Sequence, residues 1–322
     1  MTMTPEQATW FAGISDKLVE NVERVLLGKN HVIRLSFTAL LSRGHLLLED
    51  VPGTGKTSLA RAMAESIAGT SNRVQFTPDL LPGDITGVSI YDQRSGEFAF
   101  HRGPIFSNIV LADEINRASP KTQSALLEVM EEQHVTVDGV THAVGSPFMV
   151  IATQNPIEQA GTYRLPEAQL DRFIMKTSIG YPDHQSTIRI LEGSDADGDG
   201  LLSPVVSAAT ITEMTHLATT VHVDASINDY VARIIEGTRT AAEIRLGASV
   251  RGALALIRTS KTLAAVSGRS FVIPDDVKAL ADTVLAHRLI LDPEAEFDGV
   301  NPSNVIAQVL IDTPPPSDSQ VA

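Results

Sequence analysis

His45-Leu46-Leu47-Leu48-Glu49-Asp50-Val51-Pro52-Gly53-Thr54-Gly55-Lys56-Thr57 decides how the rest of the chain is read. Three leucines make a short apolar strand, which runs into a Pro-Gly-Thr-Gly loop. Lys56-Thr57 then leads into a segment, Ser58–Ala68, with Leu59, Met63 and Ile67 at helical steps and Gly69 as its stop. Strand, glycine loop, Lys-Thr and helix together form a phosphate cradle. Backbone N–H groups wrap the phosphates, the lysine reaches the β- and γ-phosphates, and the hydroxyl binds Mg²⁺. The usual pattern, G-x-x-x-x-G-K-[ST], has glycine where this chain has Asp50. The loop therefore needs partners elsewhere in the chain.

Outward from the loop, residues 14–42 carry Leu18, Val22, Val25 and Leu26 at helical spacing, with a break at Val25-Leu26-Leu27-Gly28-Lys29. Downstream, Val74–Phe76 reads as a second strand. Val88–Tyr91 and Glu97–His101 flank Asp92–Gly96 as a hairpin excursion. Ile109–Asp113 is an apolar strand ending in Asp113-Glu114. Ser119-Pro120 opens a helix, with Ser as cap and Pro as first residue. Val135–Thr141 alternates around Asp138-Gly139, a strong hairpin signal. Phe148–Thr153 and Phe173–Ile179 complete the strands, and strands alternating with helices predict a parallel, five-stranded α/β core.

Gly193–Gly200 is an acidic, glycine-rich break, and beyond it the pattern is helical: Ile211–Thr219, Ile227–Glu236, Arg251–Ser267 and Pro274–Leu289. The expected organisation is an α/β core with N-terminal helices over 1–192, a linker over 193–204, a smaller all-helical domain over 205–312, and a proline-rich, disordered tail over 313–322.

Composition narrows the function. The 322 residues are 43% hydrophobic, enough for one good core and a smaller second one. The formal net charge of −14 argues against a partner that is a phosphate backbone. There is no cysteine, which removes disulfides and thiolate zinc sites. The polar, acidic N-terminus does not read as a signal peptide, and no segment has the length of an apolar membrane span. A cytoplasmic location with no membrane insertion is the expectation.

Four further segments carry chemistry. An apolar strand delivering Asp113-Glu114 suits a metal-holding carboxylate followed by one that polarises water; a surface acidic pair is the plainer alternative. Asn155, after a strand and before Pro156, either aims its amide at a γ-phosphate or simply makes an Asx turn, and both can hold. Arg172 follows a short helical stretch and suits an arginine finger inserted into a neighbouring subunit's site; an ion pair to Asp171 or Glu167 is the plainer reading. Arg251 stands in the first turn of a helix that Ser249 caps. The helix dipole disfavours a cation there, so an anionic partner is expected, either a phosphate or a carboxylate such as Glu243.

In that order, Gly53-Thr54-Gly55-Lys56-Thr57, Asp113-Glu114, Thr153-Gln154-Asn155-Pro156, Leu170-Asp171-Arg172-Phe173 and Gly247-Ala248-Ser249-Val250-Arg251 resemble the Walker A, Walker B, sensor 1, arginine finger and sensor 2 series of AAA+ ATPases. Leu111-Ala112-Asp113-Glu114-Ile115-Asn116-Arg117-Ala118 and Leu165-Pro166-Glu167-Ala168-Gln169-Leu170-Asp171-Arg172-Phe173 are closer still to the MoxR family, and the likeness covers roughly residues 15–310. The resemblance implies a P-loop AAA+ core followed by a helical lid, with ATP and Mg²⁺ as ligands. By it, Gly28, Pro52, Gly53, Thr54, Gly55, Lys56, Thr57 and Ser58 contact nucleotide, and Thr57 and Asp113 hold the metal. Lys56, Asp113, Glu114, Asn155, Arg172 and Arg251 are the implied catalytic set. It also implies a ring homo-oligomer of six subunits that remodels or matures a protein client, with a von Willebrand factor A domain protein as a partner. The alternatives are a nucleotide-switched binding module with negligible turnover and a nucleic-acid-remodelling motor. The Val88–His101 excursion and the Asp138-Gly139 hairpin are the expected client-contacting elements. The chain departs from the family pattern at Asp50, at Arg164 and at Val250, the last two standing where proline is more common.

Two weaker signals carry no function. Asp195-Ala196-Asp197-Gly198-Asp199-Gly200 mimics the start of a calcium loop, but its twelfth position is Val206 rather than a bidentate acid. The nine histidines show no metal-ligand spacing. Trp10 is expected to anchor packing near the terminus.

Overall fold

The computed structural model describes residues 2–94, 96–155, 162–163, 165–192 and 202–316. Elements in chain order are α1 (Pro5–Glu23), α2 (Asn30–Leu41), β1 (Leu46–Glu49), α3 (Lys56–Ser66), β2 (Ser71–Gln75), α4 (Pro82–Thr86), β3 (Gly87–Asp92), β4 (Glu97–Arg102), β5 (Ile109–Asp113), α5 (Pro120–Glu132), β6 (His134–Val137), β7 (Val140–Ala143), β8 (Met149–Gln154), α6 (Glu167–Leu170), β9 (Met175–Thr177) and α7 (His184–Leu191). They continue with α8 (Ala208–Ala218), α9 (Ala225–Thr240), β10 (Ile244–Leu246), α10 (Val250–Val266), α11 (Pro274–Leu285), β11 (Ile290–Leu291), α12 (Pro293–Phe297) and α13 (Pro302–Asp312).

The chain forms two compact units. One comprises residues 17–172 and 177–212 and contains the nucleotide-type loop. The main sheet has five strands in the order β2-β5-β8-β1-β9. β1 pairs with β8, β8 with β5, and β5 with β2, all parallel. Parallel strands covered on both faces read as continuous apolar runs. Leu46–Leu48, Ile109–Ala112 and Met149–Ala152 are such runs, each residue 0–1% exposed. Register sets Glu49 beside Gln154 and Gln75 beside Asp113, so the strands end together at one edge.

His45 helps fix that sheet. Its Nδ1 accepts the Val150 N–H at 2.9 Å, which leaves Nε2 to donate to the Met130 carbonyl at 3.0 Å. One buried imidazole thus ties the start of β1 to β8 and to the last turn of α5. Ser119 caps α5 as its sequence predicts, accepting from the Thr122 N–H. Two hairpins leave the sheet. β3 pairs antiparallel with β4, and β6 with β7 around Asp138-Gly139, both at positive φ (50° and 77°), as a tight primed turn requires.

The other unit comprises residues 2–16, 173–176 and 213–316 and is mainly helical, with a two-stranded β10–β11 ribbon. Its core is Tyr230, Ile234, Leu256, Val277, Leu280 and Ile306, all at most 1% exposed. A buried pair sets the start of α11: both oxygens of Asp276 take the Arg269 guanidinium, at 2.5 and 2.8 Å, and Oδ2 also accepts the Ile273 N–H. This division differs from the linker expected over 193–204. Residues 203–206 belong with the sheet, because the Ser66 carbonyl accepts the Val205 N–H at 2.8 Å and Asn21 donates to the Ser203 carbonyl. Residues 2–16 group with the helices, with the Met3 N–H donating to the Thr220 carbonyl. Residues 193–201 and 317–322, which include the calcium-loop mimic and the end of the expected tail, lie outside the described residues, and Thr313 is buried.

Local boundaries also moved. α1 begins at Pro5 rather than near residue 14, and α3 begins at Lys56 rather than Ser58. α11 ends at Leu285, where a 3₁₀ turn, Ala286–Arg288, takes over. α4, α7, β10, β11, α12 and α13 were not foreseen. Trp10 is 40% exposed and is a surface residue of α1, not a packing anchor.

The 3₁₀ turn in the helical unit carries a titration. His287 is buried, 8% exposed, beside the Phe173 carbonyl, 3.1 Å from its Nε2, and next to Arg288. Burial first, and the Arg288 charge second, hold its pKa well below the ordinary 6.5. The unfolded chain then binds a proton that the folded chain refuses, so stability is present above pH 6.5 and falls as pH drops below it. Denaturant titrations should show a loss of up to about 1.4 kcal/mol per pH unit below that point from this group alone. His287→Gln should flatten the slope between pH 6.5 and 5.5; an unchanged slope would remove the histidine from the account.

Candidate functional site

Three strand ends that are neighbours in the sheet, β5, β8 and β1, meet where the glycine loop begins. In parallel sheets the crevice outside the carboxyl ends of the strands is where ligands bind. Here it is a cavity of about 240 Å³ lined by Pro52–Ser58, Asp50, Arg73, Gln75, Asp113, Glu114, Thr153, Gln154 and Asn155. A second cavity of about 260 Å³ shares Gly53, Thr54, Gly55 and Ser58 with it and continues toward Val25, Leu26, Leu27, Pro182 and Ile190. Charged groups line both: Lys56, Arg73, Asp113 and Glu114 the first, and Lys29, Arg61 and Glu65 the second, beside its apolar side chains.

The loop is built on left-handed glycines. Gly53 and Gly55 have φ of 83° and 94°, which side-chain-bearing residues rarely adopt. A Cβ on Gly55 would stand 2.6 Å from Leu26 Cδ1, so that methyl would have to move aside. Gly28, between the lining residues Leu27 and Lys29, is likewise left-handed, and a Cβ there would stand 2.5 Å from Ser186 Oγ on α7. Lys56 Nζ donates to the Val51 carbonyl at 2.9 Å and the Asp50 carbonyl at 3.3 Å, so the ammonium lies across the loop's own backbone.

Asp50 has a role that its departure from pattern concealed. Its carboxylate is 5% exposed and accepts the Ile179 N–H at 2.5 Å and the Gly180 N–H at 3.0 Å. The side chain therefore pins the segment after β9 to the start of the loop, while the loop's N–H groups stay available. Asp50→Gly should leave ATP affinity within about tenfold. It should lower stability by about 2–4 kcal/mol, because two backbone donors lose a charged acceptor. Urea unfolding and calorimetric ATP titration separate the two effects.

At the end of β5, Asp113 and Glu114 are fixed by one hydroxyl. Thr153 Oγ1 donates to Asp113 Oδ1 at 2.6 Å and accepts the Glu114 N–H at 2.8 Å. Glu114 has φ of 56°, the left-handed region, a strained conformation of the kind held at functional sites. Its Oε2 accepts Gln75 Nε2 at 2.8 Å and Arg117 Nη1 at 2.9 Å. Asp113 Oδ2 accepts Arg73 Nη2 at 2.6 Å and Nε at 3.2 Å. Gln154, beside Asn155, donates to Glu49 at 2.7 Å and holds the strand end square.

The structure thus brings Lys56, Thr57, Asp113, Glu114 and Asn155 to one cavity. It does not bring Arg172 there. Arg172 lies against α5, donating to the Leu127 carbonyl at 2.5 Å and pairing with Glu131 at 3.1 Å, not with Asp171 or Glu167. Arg251 belongs to the helical unit, in the first turn of α10, which Ser249 caps through the Gly252 N–H at 3.3 Å. Arg164 lies outside the described residues. Sequence reasoning missed Arg73, Gln75, Arg117 and Thr153. A signal existed for two of them: Arg73 and Gln75 sit two apart on β2 and so share one face, next to a strand ending in Asp113.

The donor set suits Mg²⁺. Thr57 and Asp113 offer a hydroxyl and a carboxylate, and this ion takes one or two such groups and fills its remaining positions with water and phosphate. Among the described residues no group of three or more His, Cys, Asp or Glu is placed to hold a metal by itself.

Comparison with known proteins agrees with this geometry. Residues 45–175 match the model of the ATPase family associated with various cellular activities, and residues 236–309 match the AAA lid domain. Fold and site therefore define an AAA-type ATPase with its lid. The chain is 41% identical to Chaperone MoxR1 of Mycobacterium tuberculosis, over 92% of this chain and 80% of that protein. It is 33% identical to Protein MoxR of Paracoccus denitrificans, over 84% of this chain and 87% of that one. A crystal structure from Cytophaga hutchinsonii, named as a candidate ATPase, superposes with a TM-score of 0.90 at 36% identity, covering 97% of this chain and 98% of the other. The chain belongs to the MoxR family of AAA+ ATPases.

Proposed function

We propose that this protein hydrolyses ATP at a site completed by a second subunit of a ring, and uses the cycle to remodel or mature a protein client. The observation that carries the reading is the meeting of Lys56 and Thr57 with Asp113, Glu114 and Asn155 in one cavity at the carboxyl edge of the sheet. The loop's N–H groups and Lys56 bind and orient the phosphates. Thr57 and Asp113 would hold Mg²⁺, which supplies charge neutralisation on the β- and γ-oxygens when bound. Glu114 orients water and takes its proton, and Asn155 places that water against the terminal phosphate. Arg172 is assigned to the neighbouring subunit's site and Arg251 to a phosphate contact, in the same subunit or the next.

Client contact is assigned to the two hairpins. Val88, Ile90, Tyr91 and Phe98 on β3–β4 are 46–72% exposed, with the Tyr91 and Phe98 rings 5.3 Å apart. Phe100 stacks on His142 at 4.3 Å, so the hairpins share one aromatic patch. Exposed apolar clusters of this kind mark contact surfaces. A von Willebrand factor A domain partner, a hexameric ring and a cytoplasmic location complete the proposal; no helix among the described residues is long and apolar enough to cross a membrane. The test is steady-state phosphate release from the assembled protein, with its mass measured by light scattering with and without ATP. A monomer with ATP, or no release, overturns the reading. A nucleotide-switched module with negligible turnover is the second reading, favoured by the engagement of both terminal nitrogens of Arg172 within its own chain.

A further inference from the structure

Asp113 holds an arginine where the ATPase reading requires a divalent cation. Of its two oxygens, Oδ1 is committed to the Thr153 hydroxyl at 2.6 Å. Oδ2 takes Arg73 through both Nη2, at 2.6 Å, and Nε, at 3.2 Å. The Asp113 side chain is 11% exposed, whereas that of Arg73 is 52% exposed. This asymmetry matters. A nearly buried carboxylate without a counter-charge is costly, and a guanidinium beside it removes that cost. A half-exposed arginine gains little of its own from the pair and can leave for water cheaply.

We propose that Arg73 is a resident counter-cation of this site: it occupies Asp113 Oδ2 until a divalent cation arrives with the nucleotide, and guanidinium and metal compete for that oxygen. The proposal rests on the ATPase reading above. β2 and β5 are adjacent parallel strands, with Arg73 opposite Leu111 and Gln75 opposite Asp113, so the guanidinium reaches two residues along the neighbouring strand to its end. Both side chains line the same cavity as Lys56 and Thr57. Lys56 is engaged by the loop carbonyls, so Arg73 is the cation placed on Asp113. Displacing it retains the cavity's positive charge and frees donors facing the phosphates. The same Nη2 also donates to Gln75 Oε1 at 2.9 Å, so its departure leaves that amide without its partner.

The test uses the full chain, Mn²⁺ and a non-hydrolysable ATP analogue, with free Mn²⁺ read by electron paramagnetic resonance. Arg73→Met should bind Mn²⁺ in the nucleotide complex about three- to tenfold more tightly than the unaltered chain, the range that a partly exposed pair on a buried carboxylate supports. Arg73→Lys should shift in the same direction by less. Arg102→Met, which removes an equal charge from β4, should leave the affinity unchanged. Equal or weaker Mn²⁺ binding by Arg73→Met, while Asp113→Asn weakens it, overturns the competition and leaves the ATPase reading standing. Absence of analogue binding to the unaltered chain, or an Asp113→Asn variant with unchanged Mn²⁺ affinity, overturns both. If Arg73→Met does not fold, Arg73→Lys decides alone: a tighter Mn²⁺ constant supports the competition and an unchanged one ends it.

Discussion

Glu114→Gln is expected to bind ATP with nearly unchanged affinity and to release phosphate about 10²–10⁴ times more slowly, the share that a positioned general base contributes. The substitution is nearly isosteric. Its amide oxygen can still accept from Gln75 and Arg117, the groups that hold Oε2 at 2.8 and 2.9 Å, so the site keeps its shape and loses only a base. The Thr153 hydroxyl, which fixes the Glu114 backbone, is untouched. Calorimetric binding and phosphate release, measured on the same preparation, check both halves. A rate within fivefold of the unaltered chain would take Glu114 out of the chemistry. Lys56→Ala serves as the opposite control, expected to lose turnover through loss of phosphate binding.

Arg172→Ala is expected to cost about 10³-fold in turnover if the guanidinium acts on a neighbour's phosphate, since such fingers contribute about 10³–10⁵. Its present partners, the Leu127 carbonyl and Glu131, make a competing outcome concrete. A purely structural arginine on α5 would show the loss as a lower melting temperature, with turnover recovering on cooling. Mixing separates the two. Subunits carrying Arg172→Ala keep an intact Lys56 loop, and subunits carrying Lys56→Ala keep Arg172. Interfaces that join the first subunit's loop to the second subunit's arginine are complete. A mixture that turns over well above the sum of the two inactive variants establishes action in trans, and a mixture no faster than that sum returns Arg172 to a local role.

Particular residues show how far the sequence was legible. The Leu46–Leu48 run, the Lys56-Thr57 step and Ile109–Asp113 announced strand, loop and strand because fully buried parallel strands and glycine-rich phosphate loops leave a local signature. The same holds for the Ser119 cap and the Asp138-Gly139 turn, whose chemistry lies within a few residues. The boundary over 193–204 was not legible in this way. What keeps residues 203–206 with the sheet is a carbonyl at the end of α3 and the amide of Asn21, and neither leaves a periodic trace. Asp50 looked like a flaw in a pattern, because only the folded chain brings Ile179 and Gly180 to its carboxylate.

The sequence by itself determined the class of protein, since the loop, the Asp113-Glu114 strand end and the downstream arginines are each short-range patterns and their order is specific. Tertiary structure alone decided who holds whom. Strand order made β2 the neighbour of β5, and so gave Asp113 an arginine from a segment that carries no motif. It also set Arg172 on α5 and the Asp50 carboxylate on the turn after β9. The reason is physical: a motif records what a residue does to the chain beside it, whereas a counter-charge comes from whatever the fold sets within 3 Å.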